Sequence, residues 1–241
     1  MEFNFELNNI YNINCFDGIK YIKDKSIDCI VTSPPYNLGG DFHTFIDGKR
    51  VTYGDYNGFK DRLPEKQYKE EQTQLLNECY RILSDEGFMF YVHKNRIIKG
   101  STSSPLEWIG KTEWNVSQIV VLDFGASANV DKRRFFPVYE LLFILNKNPK
   151  LKLNNEKCLT DVWKMKKVPR RESGHPATFH IDLPIRCILA STNENDIVFD
   201  PYSGTGTTCK AAKDTNRQFL GFEIGKEYYI KSLQRLDDKN I

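Results

Sequence analysis

Ile197-Val198-Phe199-Asp200-Pro201-Tyr202-Ser203-Gly204-Thr205-Gly206 reads as a buried strand that ends on a carboxylate and runs into a tight turn. Thr207 to Lys213 then begins a helix, Phe219 to Phe222 forms the next strand, and that strand closes on Glu223. A strand, a G-x-G turn, a helix and an acidic residue after the following strand make up the nucleotide-binding geometry of doubly wound folds. The glycines let the backbone approach a ligand, and the carboxylate chelates ribose hydroxyls. Glu223 lies 17 positions after Gly206, close to the ~20 of the dinucleotide fingerprint. The third glycine of that fingerprint would fall where this chain has Cys209. No pyrophosphate clamp is therefore expected, which argues against NAD and FAD, and there is no G-K-[ST] to form an ATPase-type phosphate loop. An adenosine ligand without a pyrophosphate fits, and S-adenosyl-L-methionine is the candidate.

Strands and helices alternate through the rest of the chain. Ile10 to Cys15, Ile27 to Val31, Phe88 to Val92, Val116 to Leu122 and Val138 to Leu145 read as strands. Helices are expected over Asp17 to Lys23, from Pro64 to a stop at Gly87, from the Ser104-x-x-Glu107 capping box to about Thr112, from Asp182 to about Ser191, and over Glu227 to Leu236. This alternation predicts one α/β Rossmann-like domain over residues 1–241, with a mostly parallel twisted sheet and helices on both faces. Asp123 to Phe136, which carries Lys132, Arg133 and Arg134, is expected to be a loop. Asn37 to Leu63 is expected to lack regular structure, and its aromatic residues either stack on bases or fold back on the body.

A second stretch carries chemistry. Thr32-Ser33-Pro34-Pro35-Tyr36 follows the Ile27–Val31 strand. Two consecutive prolines fix φ and remove both N–H donors, so their carbonyls point outward without a competing local hydrogen bond. Ser33 adds a hydroxyl at one end and Tyr36 a ring at the other. Either this is a strand terminator with a buried tyrosine, or it is a cup for an amino group on a planar heterocycle. Asp17, near a strand end, either caps a helix or accepts from a ligand's exocyclic amine.

Composition excludes several classes. With 40% apolar and 27% charged residues, the chain is globular. No apolar run approaches the ~18 residues of a membrane span, and the first nine residues lack a signal-peptide pattern. Six cysteines without C-x-x-C spacing predict free thiols in a reducing cytoplasm and no metal site. Lys147 to Arg171 holds nine Lys and Arg against Glu156 and Asp161, in a chain of net charge +2. Such a segment is either a solvated loop or a polyanion contact.

Ser33-Pro34-Pro35-Tyr36 together with Phe199 to Thr208 resembles the amino-group DNA methyltransferases of modification systems, which methylate cytosine N4 or adenine N6. With the catalytic motif first and the cofactor motif near the C-terminus, the order is similar to their permuted β group. The resemblance continues in Gly174-His175-Pro176-Ala177-Thr178-Phe179 and in Asn14-Cys15-Phe16-Asp17. It implies a catalytic region over 10–145, a short basic target-recognition segment over 147–173 and a cofactor region over 174–241. S-adenosyl-L-methionine would be bound by Asp17, His175, Thr178, Phe179, Asp200, Pro201, Tyr202, Ser203, Gly204, Thr205, Gly206, Thr207 and Glu223.

The resemblance also implies that Ser33 and the Pro34 carbonyl hold the target amine, with Pro35 and Tyr36 completing the cup and Tyr36 stacking on a flipped base. Lys132, Arg133, Arg134, Lys164, Lys166, Lys167, Arg170 and Arg171 would contact double-stranded DNA. A cognate restriction endonuclease and a second copy of the chain are the further expected partners. Adenine-directed members usually carry Asp or Asn at the first cup position and serine is commoner among cytosine-N4 members, so Ser33 favours cytosine. An RNA or protein-glutamine methyltransferase, or a non-catalytic nucleic-acid-binding relative, are the alternatives.

Overall fold

The computed structural model describes residues 5–38, 61–125, 133–154, 160–166, 168 and 178–237, and the backbone of 43–46, 49–52, 55–56 and 59–60. Eight strands form the central sheet: β1 (Asn9–Tyr11), β2 (Ile27–Thr32), β3 (Leu83–His93), β4 (Asn115–Asp123), β5 (Tyr139–Asn146), β6 (Val162–Lys164), β7 (Ile197–Asp200) and β8 (Gln218–Phe222). Their order is β1-β8-β7-β2-β3-β5-β4-β6. Only β5 runs against the others, being antiparallel to both β3 and β4.

Strand alternation puts two cores on the two faces. Cys29, Val31, Phe88, Phe90, Val92, Leu142 and Ile144 share one with helices α4 (Asp182–Ser191), α5 (Thr207–Asp214) and α6 (Lys226–Asp237). Ile30, Met89, Tyr91, Phe143 and Leu145 share the other with α1 (Cys15–Gly18), α2 (Glu65–Ile82) and α3 (Leu106–Ile109). In α2 the buried Tyr68, Gln72, Leu75, Leu76, Cys79 and Ile82 form one stripe at helical spacing. Cys15, Cys29, Cys79, Cys187 and Cys209 are free and buried, and burial pushes the Cys15 and Cys29 thiols up to about 12. Cys158 lies outside the described residues.

Several expected boundaries move. The first strand stops at Tyr11 because the Asn14 side chain accepts from Phe16 N at 2.9 Å and starts α1 there. The capping box forms, with Ser104 N donating to Glu107 Oε1 at 2.9 Å, but α3 ends at Ile109. Gly87 does not stop α2, which ends at Ile82; it lies inside β3. A Cβ at Gly87 would sit 2.7 Å from the Asp28 carbonyl of β2, so the glycine answers a close approach of two strands. The 37–63 stretch is not wholly irregular: His43–Ile46 pairs with Lys49–Thr52, and Asp55–Tyr56 with Phe59–Lys60. Part of the basic segment is the edge strand β6, parallel to β4.

β2 and β7 are neighbours, and the chain leaves them in opposite directions, toward β3 and toward β8. The crevice at their C-terminal ends is thus the topological switch point, where open α/β sheets bind ligands. No helix among the described residues is long and apolar enough to cross a membrane.

Candidate active site

The turn after β7 is organised by buried polar groups. Asp200 is 2% exposed. Its Oδ1 accepts from the Thr32 hydroxyl at 2.8 Å and from Tyr202 N at 3.0 Å. Burial lifts its carboxyl to about 6, against the pull of Thr32, Thr208 and the Tyr202 N–H. Glu223 holds the turn from the other side, accepting from Gly204 N at 2.9 Å and Gly225 N at 2.6 Å. Burial raises its carboxyl too, with those two N–H groups opposing.

The two turn glycines differ. Both have positive φ, +54° at Gly204 and +78° at Gly206. Gly204 faces the cavity described below; Gly206 does not line it. A Cβ at Gly206 would lie 2.9 Å from Ser232 Cβ on α6 and 3.2 Å from Ile10 Cδ1. The expectation that both glycines admit a ligand is corrected: Gly206 admits the neighbouring helix. The missing third glycine is also explained, because a Cβ at Gly221 of β8 would meet Cys209 Sγ at 2.8 Å. The close helix–strand approach is kept, with the glycine on the strand instead of the helix.

Side chains from distant elements hold the cup after β2. Ser33 Oγ lies 2.9 Å from Tyr36 Oη, which donates to Glu140 Oε2 of β5 at 2.9 Å. The Tyr36 ring packs on His93 with centroids 4.6 Å apart, and Lys94 Nζ lies 5.3 Å from the Tyr36 centroid. Tyr68 of α2 donates to the Pro35 carbonyl at 2.9 Å and lies 2.6 Å from His93 Nε2. The Pro35 carbonyl is therefore not a vacant acceptor, which corrects the expectation for that residue. Burial lowers His93 to about 3; neutral, it accepts from Lys94 N at Nδ1 (2.8 Å) and has Nε2–H for the Tyr68 oxygen. Asn37 and Asp61 tie off the segment that follows, with Asn37 N donating to Asp61 Oδ1 at 2.7 Å and Leu63 N to Asn37 Oδ1 at 2.6 Å.

Both loops open on one cavity of about 410 Å³, within the range of small-molecule sites. Ser33 to Tyr36, Asp200 to Thr205, Thr207, Glu223, Thr178 and Phe179 line it, joined by Phe16 and Tyr228. The hydroxyls of Thr178 and Thr205 are buried and have no hydrogen-bond partner among the described residues. A cavity with apolar walls and a carboxylate at its edge fits a molecule such as S-adenosyl-L-methionine, which has an apolar and aromatic body with polar ends.

Asp17 does not line the cavity. Its side chain is 68% exposed beside Lys20, and Asn14 caps the helix in its place. Lys164 and Lys166 are exposed around the buried Trp163 and Met165. They lie on the same rim of the sheet as the cup, four strands from β2, about 19 Å away. Exposed Arg133 and half-buried Arg134 lie between, in the connection from β4 to β5. Lys132, Lys167, Arg170, Arg171 and His175 lie outside the described residues. Glu140, His93, Lys94, Tyr68 and Asp61 were missed from sequence. The available signals were a lone carboxylate in the 138–145 run and the polar His93-Lys94-Asn95-Arg96 run that ends an apolar strand.

Comparison with known proteins gives this geometry a class. The family model for N6/N4 methyltransferases, described as DNA methylase, matches residues 27–234. Type II methyltransferase M.BglII of Bacillus subtilis is 30% identical, over 92% of this chain and 67% of its own. DNA adenine methyltransferase YhdJ of Escherichia coli K12 is 25% identical, over 98% and 84%. Among solved structures, the cytosine-N4-specific PvuII DNA methyltransferase superposes with a TM-score of 0.77 at 19% identity, covering 97% of this chain and 87% of its own. The M1.HpyAVI–SAM complex superposes at 0.63 with 23% identity, covering 95% and 99%. The chain belongs to the N6/N4 DNA methylase family. It is an amino-group DNA methyltransferase.

Proposed function

We propose that the protein transfers a methyl group from S-adenosyl-L-methionine to the exocyclic amine of a base flipped out of double-stranded DNA, with cytosine N4 preferred over adenine N6. The observation that carries this is the convergence of the Ser33–Tyr36 cup and the Asp200–Thr205 turn on one cavity at the switch point. When bound, S-adenosyl-L-methionine supplies an electrophilic methyl group.

The chain's own residues do the rest. An exocyclic amine is a poor nucleophile because its lone pair is delocalised into the ring. Ser33 Oγ and the Pro34 carbonyl accept its N–H hydrogens, which favours a pyramidal nitrogen with an available lone pair. Tyr36, packed on His93, lines the cavity and stacks on the base. Glu223 accepts from ribose hydroxyls through the lone pairs that Gly204 and Gly225 leave. Thr178 and Phe179 pack on the methionine end, and Asp200 keeps the turn in shape by binding Thr32 and Tyr202. Positioning and preorganised polarity supply most of the rate.

Arg133, Lys164 and Lys166 meet DNA phosphates along the shared rim, and 147–173 serves as a short target reader. The bacterial names among the relatives support action in the cytoplasm. The type II names among the relatives support a cognate restriction endonuclease as partner.

Ser33 supports cytosine: a short neutral hydroxyl stands where adenine-directed relatives of this type usually carry an amide or a carboxylate. The test is transfer of labelled methyl to duplex DNA beside RNA and protein, followed by digestion to nucleosides and mass spectrometry. N4-methylcytosine is expected. N6-methyladenine alone would overturn the base preference, and label in RNA or protein alone would overturn the substrate.

A further inference from the structure

Beneath the cup lies a chain of hydrogen bonds that the proposed reaction has so far used only at its first atom. Ser33 Oγ and Tyr36 Oη are 2.9 Å apart, and Tyr36 Oη and Glu140 Oε2 are 2.9 Å apart. A phenol has one hydrogen, a serine hydroxyl has one hydrogen and two lone pairs, and an ionised carboxylate has only acceptors. The direction of the whole chain therefore follows from its last member. If the Tyr36 hydrogen goes to Glu140, Tyr36 is an acceptor toward Ser33. The single Ser33 hydrogen then goes to Tyr36, and what remains on Ser33 Oγ toward the cavity is lone pairs.

We propose that Glu140 is a positioning residue that fixes this direction, so that Ser33 meets the target amine only as an acceptor. This rests on the methyltransferase reading above and adds a residue to it. The direction matters because the amine nitrogen must keep its lone pair for attack. A serine that donated to that nitrogen would tie the lone pair up, and one that accepts from its N–H leaves it available. An amide or carboxylate oxygen at position 33 would accept whatever lay behind it, whereas a hydroxyl can do either. A serine cup therefore needs something to decide for it.

The setting suits Glu140 to that task. Its Oε2 accepts from Tyr36 Oη at 2.9 Å; burial raises its carboxyl on balance, with the Lys94 charge and the Tyr36 hydroxyl opposing that rise. Lys94 is itself among buried groups, and burial lowers its ammonium against the pull of Glu140 and Asp61. Replacing Glu140 by Gln keeps the shape. The charge that fixes the Tyr36 hydrogen is lost, and with the amide NH2 toward Tyr36 the chain reverses.

The test is a double-mutant cycle on Glu140→Gln and Tyr36→Phe, with single-turnover methyl transfer measured at saturating DNA and S-adenosyl-L-methionine and both affinities measured separately. Each single change should slow transfer about 10- to 100-fold, the worth of one charge-assisted hydrogen bond. Affinities should be unchanged, and the double variant should be no slower than the worse single one. Unaltered transfer in Glu140→Gln, or losses that multiply, would overturn the proposal. So would a loss confined to DNA affinity, which is what mere anchoring of the Tyr36 ring predicts.

A second readout does not depend on the substrate. In protein labelled with carbon-13 at tyrosine Cζ, the Tyr36 resonance, assigned by its disappearance in Tyr36→Phe, should shift in Glu140→Gln. No shift would overturn the chain. A shift in a protein that methylates no DNA would leave the chain standing and remove the methyltransferase reading.

Discussion

The turn after β7 and the cup after β2 sit side by side in the sheet and line one cavity, yet they are held in opposite ways. The turn is held mainly by backbone: Gly204 N and Gly225 N on Glu223, Tyr202 N on Asp200, and two glycines at positive φ. The cup is held by side chains from three other elements, Tyr68 of α2, His93 of β3 and Glu140 of β5. A turn built this way rests on backbone N–H groups gathered by two carboxylates, and it suits a constant ligand. A cup built this way is set by its surroundings, so its chemistry can be retuned without touching its own four residues.

That contrast is broken most severely at Ser33. In the proposed reaction, Ser33→Ala removes the acceptor for the reacting amine. Methyl transfer should fall about 100- to 1000-fold, as on loss of one preorganised polar contact, while S-adenosyl-L-methionine affinity measured by calorimetry stays the same. An equal fall in cofactor affinity would mean that cup and turn are not separable.

Asp200 sharpens the comparison from the other side, through pH. Its folded value is about 6 against an ordinary 3.8, so the native state holds the proton more tightly than the unfolded chain does. The stabilisation from that proton is full below about 3.8 and is lost as pH rises through about 6. Unfolding by denaturant at pH 4 and pH 6.5 should show wild type losing ~2 kcal/mol relative to Asp200→Asn. Parallel pH curves would show that the carboxyl titrates normally.

Gly206→Ala tests the backbone claim directly. A φ of +78° and a Cβ 2.9 Å from Ser232 Cβ should cost about 2–3 kcal/mol of stability. Adding Ser232→Gly should recover the crowding and leave the dihedral cost of ~1–2 kcal/mol. Full recovery would show that φ does not matter there. The smallest expected effect lies farthest out on the rim. Neutralising Lys164 and Lys166 together should flatten the slope of log affinity for DNA against log salt by about two, without changing transfer at saturating DNA. An unchanged slope would remove these lysines from the DNA face.

The same contrast explains what was legible. The turn was readable because its determinants are neighbours in sequence: an apolar run, Asp200, two glycines, then Glu223 at the end of the next strand. The boundaries of α4, β7 and β8 follow from the same short-range signals. Gly87 misled because a glycine after a helical stripe looks like a cap, whereas the cause lies in Asp28 of a different strand. Asp17 misled because a carboxylate near a strand end looks like a ligand for an amine; the Asn14 cap turns it outward.

The amino-acid sequence by itself determined the doubly wound class and the two loops that meet on one cavity. Periodicity, turn chemistry and glycine requirements act over a few residues, and they agree with one another here. Only the tertiary structure decided how the cup is wired. Glu140 lies 104 positions from Tyr36 and Tyr68 lies 33 from Pro35. No local pattern joins them, because hydrogen bonds between side chains on different strands and helices exist only once the sheet has put its strands in order.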